Sequence, residues 1–212
     1  MMTTETPGAP REMIPQWFKD LCLRILAPLI AVFKHYNLDP NLLTLLSLGF
    51  SMVSAFVLAA GNLRLGGILV LVSGTFDILD GAVARATNRV SKFGALFDSS
   101  LDRYAELVVY FGIASYYFQQ GYDYRDGIFI IIALATAGSL MVSYVRARAE
   151  GLGFECKVGM MQRPERIVLL GSGAIIHPAV LGSFLFLIAV LANLTAVQRL
   201  RHICKISQNT GA

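Results

Sequence analysis

The stretch from Phe76 to Arg103 carries four aspartates, Asp77, Asp80, Asp98 and Asp102, among apolar and small residues. The first two are three residues apart and the last two are four apart, so each pair shares one face of a helix. Two helices joined by the loop from Thr87 to Lys92 would aim all four carboxylates at one point. Ionised groups in an apolar setting are costly and serve a function by default, and mutual repulsion adds to the cost. Hard divalent cations with oxygen ligands remove both penalties. Mg²⁺ or Mn²⁺ suits ligation by carboxylates alone, and no His or Cys lies nearby to favour zinc. Two ions sharing Asp77, Asp80, Asp98 and Asp102 would stabilise the attacking and leaving oxygens of a displacement at phosphorus.

Gly81, Ala84 and Gly94 leave little bulk around these acids, so a flat base and its phosphates would reach the helix backbone there; ordinary small-residue helix packing gives the same composition. Arg85 is placed to pair with a carboxylate or to grip a phosphate. A second basic set comprises Arg146, Arg148, Arg163 and Arg166, at the depth of the aspartates. Arginine suits two-point phosphate recognition. The plainer role of these residues is to anchor the chain on one side of a membrane. The interspersed Glu150 and Glu165 favour the first role, because anchoring does not require them.

The elements that must hold these groups are membrane helices. The chain has 212 residues, 55% hydrophobic and 15% charged, with mean hydropathy +0.60. A soluble domain carries about 25% charged residues. A span needs about 20 mostly apolar residues. Apolar runs at 42–60, 65–80, 96–118 and 127–145 meet or approach this. The run 167–197 holds no Lys, Arg, Asp or Glu. As one helix it would be about 46 Å long, well over a ~30 Å bilayer core. His177-Pro178 near its middle divides it in two. The reading is an all-α integral membrane bundle of six transmembrane helices over 42–198, within a single domain of residues 1–212.

With six spans, every Lys and Arg except Arg64 and Arg125 falls on one side. By the positive-inside rule that side is cytoplasmic, and with it both termini and the acidic cluster. Residues 11–36 mix apolar side chains with Lys19, Arg24 and Lys34, as an N-terminal interfacial amphipathic helix does. Residues 1–10 read as a flexible tail without the apolar core of a signal peptide. Cys22, Cys156 and Cys204 are too few and too scattered for a disulfide framework. The formal charge of +4 fits a lipid-headgroup or phosphate partner. No aromatic-basic surface suggests nucleic acid.

The pattern Asp-x2-Asp-Gly-x2-Ala-Arg-x8-Gly-x3-Asp-x3-Asp resembles the signature of the CDP-alcohol phosphotransferases. Asp77, Asp80, Gly81, Ala84, Arg85, Gly94, Asp98 and Asp102 fill it without departure. Pro40-Asn41-x2-Thr44 is similar to the start of that family's first span. The resemblance implies a six-helix membrane fold, commonly a homodimer, and transfer of a phosphatidyl-type group from a CDP-linked lipid to an alcohol with release of CMP. The four aspartates would bind two Mg²⁺ or Mn²⁺ ions. Asp80, Gly81, Ala84, Arg85 and Gly94 would hold the donor, and Asp102 would be the catalytic base. The segments 142–150 and 163–166 resemble the phosphatidylinositol-phosphate synthase branch. There Arg146, Arg148, Arg163 and Arg166, with Arg199 or Arg201, would bind the phosphate of a phosphorylated polyol. Arg146 stands where that branch often has Lys, and Gln162 where it often has Glu. A glycerol 3-phosphate acceptor is the alternative within the family. A divalent-cation transporter and a non-catalytic scaffold are alternatives of other classes. The arginines argue against the first, and intact Asp98 and Asp102 against the second.

Overall fold

The computed structural model describes residues 16–121, 125–156 and 158–210. The expected tail, the start of the interfacial helix before residue 16, and Lys157 lie outside the described residues. Among those described, the protein is all-helical: α1 (Gln16–His35), α2 (Pro40–Ala59), α3 (Leu63–Ala86), α4 (Lys92–Gln119), α5 (Arg125–Gly151), α6 (Arg163–Ile176) and α7 (Pro178–Thr210). Four of these, α2, α3, α5 and α7, are long and apolar enough to cross a bilayer. Of the other two expected spans, α4 is long but carries Asp98, Asp102, Arg103 and Glu106. Helix α6 has 14 residues, about 21 Å at 1.5 Å per residue.

Several helices outrun their apolar stretches. α3 continues past Asp80 to Ala86, and α5 past Val145 to Gly151. Apolarity marks where lipid lies, whereas backbone hydrogen bonding continues into the polar zone. The break between α6 and α7 falls at His177-Pro178, as the proline requires. His177 is extended (φ −167°, ψ 148°), and its Nδ1 accepts from Ala179 N–H at 3.2 Å.

Helices α2 to α7 pack as a closed ring in the order α2, α3, α6, α7, α5, α4 and back to α2. Lipid gives little hydrophobic drive between helices, so small residues and interhelical hydrogen bonds hold the ring. Ser47 Oγ donates to Ser73 O (3.0 Å), Ser73 Oγ to Ser47 O (2.9 Å) and Ser54 Oγ to Gly66 O (2.8 Å), joining α2 to α3. A Cβ on Gly67 would lie 2.5 Å from Gly171 O, and one on Gly112 2.6 Å from Ala55 O. Those glycines let α3 meet α6, and α4 meet α2, backbone to backbone.

One consequence bears on the site. Consecutive helices α3 and α4 are not a close-packed pair, because α2 lies against both. At their joined ends a gap opens where the acids face one another. α1 covers α3 from outside: Leu26, Ile30 and Phe33 pack on the buried cluster Leu43, Leu79 and Val83. Trp17, Leu21, Ile25 and Leu29 remain exposed.

Candidate active site

Asp77 lies in the last turns of α3, and Asp98 and Asp102 one turn apart near the start of α4. One oxygen of each lies within 4.8 Å of the others. Asp80 accepts from Thr44 Oγ1 at 2.8 Å through Oδ2 and is buried. Three of the four sequence-singled carboxylates therefore form one cluster, and Asp80 stands on the α2 side of it. Asp98 Oδ1 is buried without a hydrogen-bond partner. A buried, unpartnered carboxylate oxygen is costly, and the ligand atoms that Asp77, Asp98 and Asp102 offer together are all hard oxygens. The cluster thus fits Mg²⁺ or Mn²⁺.

Two cavities flank the acids. The first, about 270 Å³, is lined by residues of α2, α3 and α4, including Thr44, Asp80, Gly81, Arg85, Gly94 and Asp98. Ala84 also lines it, so all the residues assigned to a donor by sequence meet in one place. The N-termini of α2 and α4 open here. Asp39 caps α2 by accepting from Asn41 N–H (3.0 Å), and Ser91 caps α4 by accepting from Gly94 N–H (2.9 Å). Positive helix ends favour an anion. A Cβ on Gly81 would come within 3.3 Å of Arg85 Nη1, so glycine lets this guanidinium lie close over α3. Arg89 fastens the rim, its Nη2 donating to Asn37 Oδ1 at 2.9 Å.

The second cavity, about 190 Å³, is lined by Asp102 and Arg103 of α4 and by Arg146, Arg163, Arg166 and Arg199. The N-terminus of α6 opens into it, and Gln162 provides no side-chain cap there. Arg163 pairs with Asp77 through Nη1 and with Asp102 through Nη2, the latter at 2.9 Å. Arg199 is 2% exposed and donates to Val158 O (2.8 Å) and Val142 O (2.5 Å). Arg146 pairs with Glu150 at 2.8 Å. Arg148, two residues along α5, is exposed and not among the lining residues. The structure thus brings four of the five sequence-assigned acceptor arginines to one cavity and leaves Arg148 outside it.

Sequence reasoning assigned no role to Thr44, Ser91 or Glu106. Glu106 had a signal: it extends the Asp98, Asp102 spacing by a further four residues into an apolar run, where an ionisable group is functional by default.

The fold and site define a class: a helical membrane protein with a carboxylate cluster suited to divalent metal between two anion-attracting cavities. Residues 37–201 match the CDP-alcohol phosphatidyltransferase family, and the chain belongs to it. It is 34% identical over 201 residues to the archaetidylinositol phosphate synthase of Methanothermobacter thermautotrophicus, covering 93% of this chain and 97% of that one. It is 32% identical over 189 residues to the phosphatidylinositol phosphate synthase of Mycobacterium tuberculosis, covering 85% and 86%. The crystal structure of the Mycobacterium tuberculosis phosphatidylinositol phosphate synthase with CDP-DAG bound superposes with a TM-score of 0.75 at 30% identity, covering 85% of this chain and 94% of that one. A structure of the same synthase in complex with manganese and citrate gives 0.75 at 29% identity, covering 83% and 87%. The chain is a phospholipid-synthesising transferase of the metal-dependent kind.

Proposed function

We propose that this enzyme transfers a phosphatidyl-type group, diacyl or ether, from a CDP-linked lipid to inositol phosphate and releases CMP. The carrying observation is the placement of the acid cluster between the two cavities, with Asp98 lining one and Asp102 the other. A nucleotide-linked lipid and a phosphorylated alcohol entering from opposite sides would meet at the acids. The names of the relatives support inositol phosphate, and the arginines of the second cavity support an acceptor that carries phosphate.

Asp77, Asp80, Asp98 and Asp102 would hold two Mg²⁺ or Mn²⁺ ions. Such ions, when bound, neutralise charge on the donor's pyrophosphate and on the oxygen it releases. The protein's own residues do the rest. Gly81, Ala84 and Gly94 admit the cytidine and its phosphates, and Arg85 and the ends of α2 and α4 balance their charge. Arg146, Arg163, Arg166 and Arg199 seat the acceptor's phosphate, with Arg148 at most an outer attraction for it. Asp102 takes the proton of the acceptor hydroxyl as that oxygen attacks the lipid-bearing phosphorus. The bond from that phosphorus to the bridging oxygen breaks, and CMP carries the electron pair away.

In the same reading α2 to α7 all cross the inner or plasma membrane, with α4 and α6 shielded by their neighbours in the ring. α1 lies in the interface through Trp17 and Ile25. The acids and both termini face the cytoplasm, and two copies pair in the bilayer.

Purified protein given CDP-diacylglycerol and a series of acceptors tests the proposal through CMP release. Inositol phosphate is expected to support release, and unphosphorylated inositol is not. Release with glycerol 3-phosphate alone would overturn the inositol assignment. Metal flux into vesicles without any CMP would overturn the transferase reading itself.

A further inference from the structure

Glu106 lies one turn beyond Asp102 on the same face of α4, and the mechanism above does not use it. Glu106 is buried, its side chain 7% exposed, and its carboxylate meets Arg166 of α6 at two points. Arg166 Nε donates to Oε1 at 2.5 Å and Nη2 to Oε2 at 2.8 Å. Nη1 of the same guanidinium donates to Met161 O at 3.2 Å. Met161 N–H in turn donates to Thr195 Oγ1 of α7 at 3.3 Å. The carboxylate thus joins α4, through one arginine, to the loop before α6 and on to α7.

Helices α4 and α6 are not a close-packed pair. Two ion pairs in register span the space between them, Asp102 with Arg163 and Glu106 with Arg166. The first pair lies at the acid cluster and is partly open, with side chains 13% and 15% exposed. The second is closed off, at 7% and 1%. Its burial makes it a fixed rung and leaves the first as the working one.

A guanidinium has five N–H donors in a rigid plane. Three of those on Arg166 are engaged, and Arg166 lines the second cavity. A carboxylate that grips one edge at two points fixes the orientation of the plane, and so fixes the direction of the two remaining donors. A buried ion pair is weak grounds for stability, because apolar residues of similar volume often serve as well or better. An apolar pair here would remove one of the held cations that line the cavity.

We propose that Glu106 is a positioning residue for the phosphorylated acceptor. It holds Arg166 so that its guanidinium, buried in the wall of the second cavity, keeps its orientation and charge toward the acceptor's phosphate. The inference rests on the reading of the second cavity as the acceptor phosphate site.

The test compares Glu106→Gln, Glu106→Asp and Arg146→Ala with the parent enzyme, using CDP-diacylglycerol and inositol phosphate. CMP release gives the two KM values, electron paramagnetic resonance the Mn²⁺ affinity, and melting in detergent the stability. Glu106→Gln is expected to raise the acceptor KM about tenfold or more, the loss typical of a charge-assisted hydrogen bond. Donor KM and Mn²⁺ affinity are expected to hold within about twofold of the parent on the same argument. Glu106→Asp keeps the charge and protects folding, but one methylene less breaks the two-point grip, so its acceptor KM is expected to rise as well. If Glu106→Gln does not fold, Glu106→Asp decides. An unchanged acceptor KM in the folded variants, or equal rises for donor and acceptor, overturns the inference. Arg146→Ala separates the two claims. If it leaves the acceptor KM unchanged, the reading of the cavity and the inference fall together. If it raises that KM and the Glu106 variants do not, the inference alone falls.

Discussion

Asp102 carries the heaviest load of any single side chain. It belongs to the acid cluster, its Oδ1 pairs with Arg163, and it lines the second cavity. Asp102→Asn keeps an oxygen ligand but cannot accept the hydroxyl proton. It is expected to retain Mn²⁺ binding while turnover falls by about a hundredfold or more, the usual contribution of a general base. Mn²⁺ titration followed by resonance, alongside CMP release, checks this; parallel loss of both would reduce Asp102 to a ligand. At this scale the sequence was informative because the chemistry demands fixed residue types at fixed spacing. Asp77, Asp98 and Asp102 meet as their positions predict, and Gly81, Ala84, Arg85 and Gly94 share a cavity with Asp80. Arg148 shows the limit. It is as basic as Arg146, but two residues along a helix turn a side chain to the opposite side, and it is exposed.

The elements matter through how closely they approach. Gly67 and Gly171 bring α3 and α6 together, so the helix bearing Asp77 stands opposite the helix bearing Arg163. Gly67→Leu would set a side chain against the Gly171 carbonyl, which cannot move without its helix. Overpacking of this kind costs about 1–3 kcal/mol. The expected outcome is a lower melting temperature in detergent together with a reduced turnover. A fall in stability with full turnover would separate the α3–α6 contact from the site. Helix ends were less legible than helix cores. The apolar run at 65–80 stops at Asp80, yet α3 continues to Ala86. Those six residues carry Gly81, Ala84 and Arg85, so the polar overhang of the helix is itself part of the site.

For the whole molecule, the ring of α2 to α7 is held by serine hydrogen bonds and small-residue contacts distributed along the helices. The acid cluster occupies only one end. Removal of divalent cations with EDTA is therefore expected to abolish CMP release and to leave the far-ultraviolet circular dichroism of the helices nearly unchanged. Added Mg²⁺ or Mn²⁺ should restore activity. Collapse of the helical signal on chelation would mean that the cations hold the fold and not the chemistry alone.

The sequence by itself determined the helical membrane class, the break at His177-Pro178 and three of the four acids it expected to converge, because hydropathy, proline geometry and helical spacing are local properties of the chain. Only the tertiary structure decided that α2 keeps α3 and α4 apart, that two cavities flank the acids, and that Glu106 meets Arg166. Those facts depend on which helices become neighbours. Glycine and serine contacts between segments distant in sequence select the neighbours, and no local pattern records which contact forms with which.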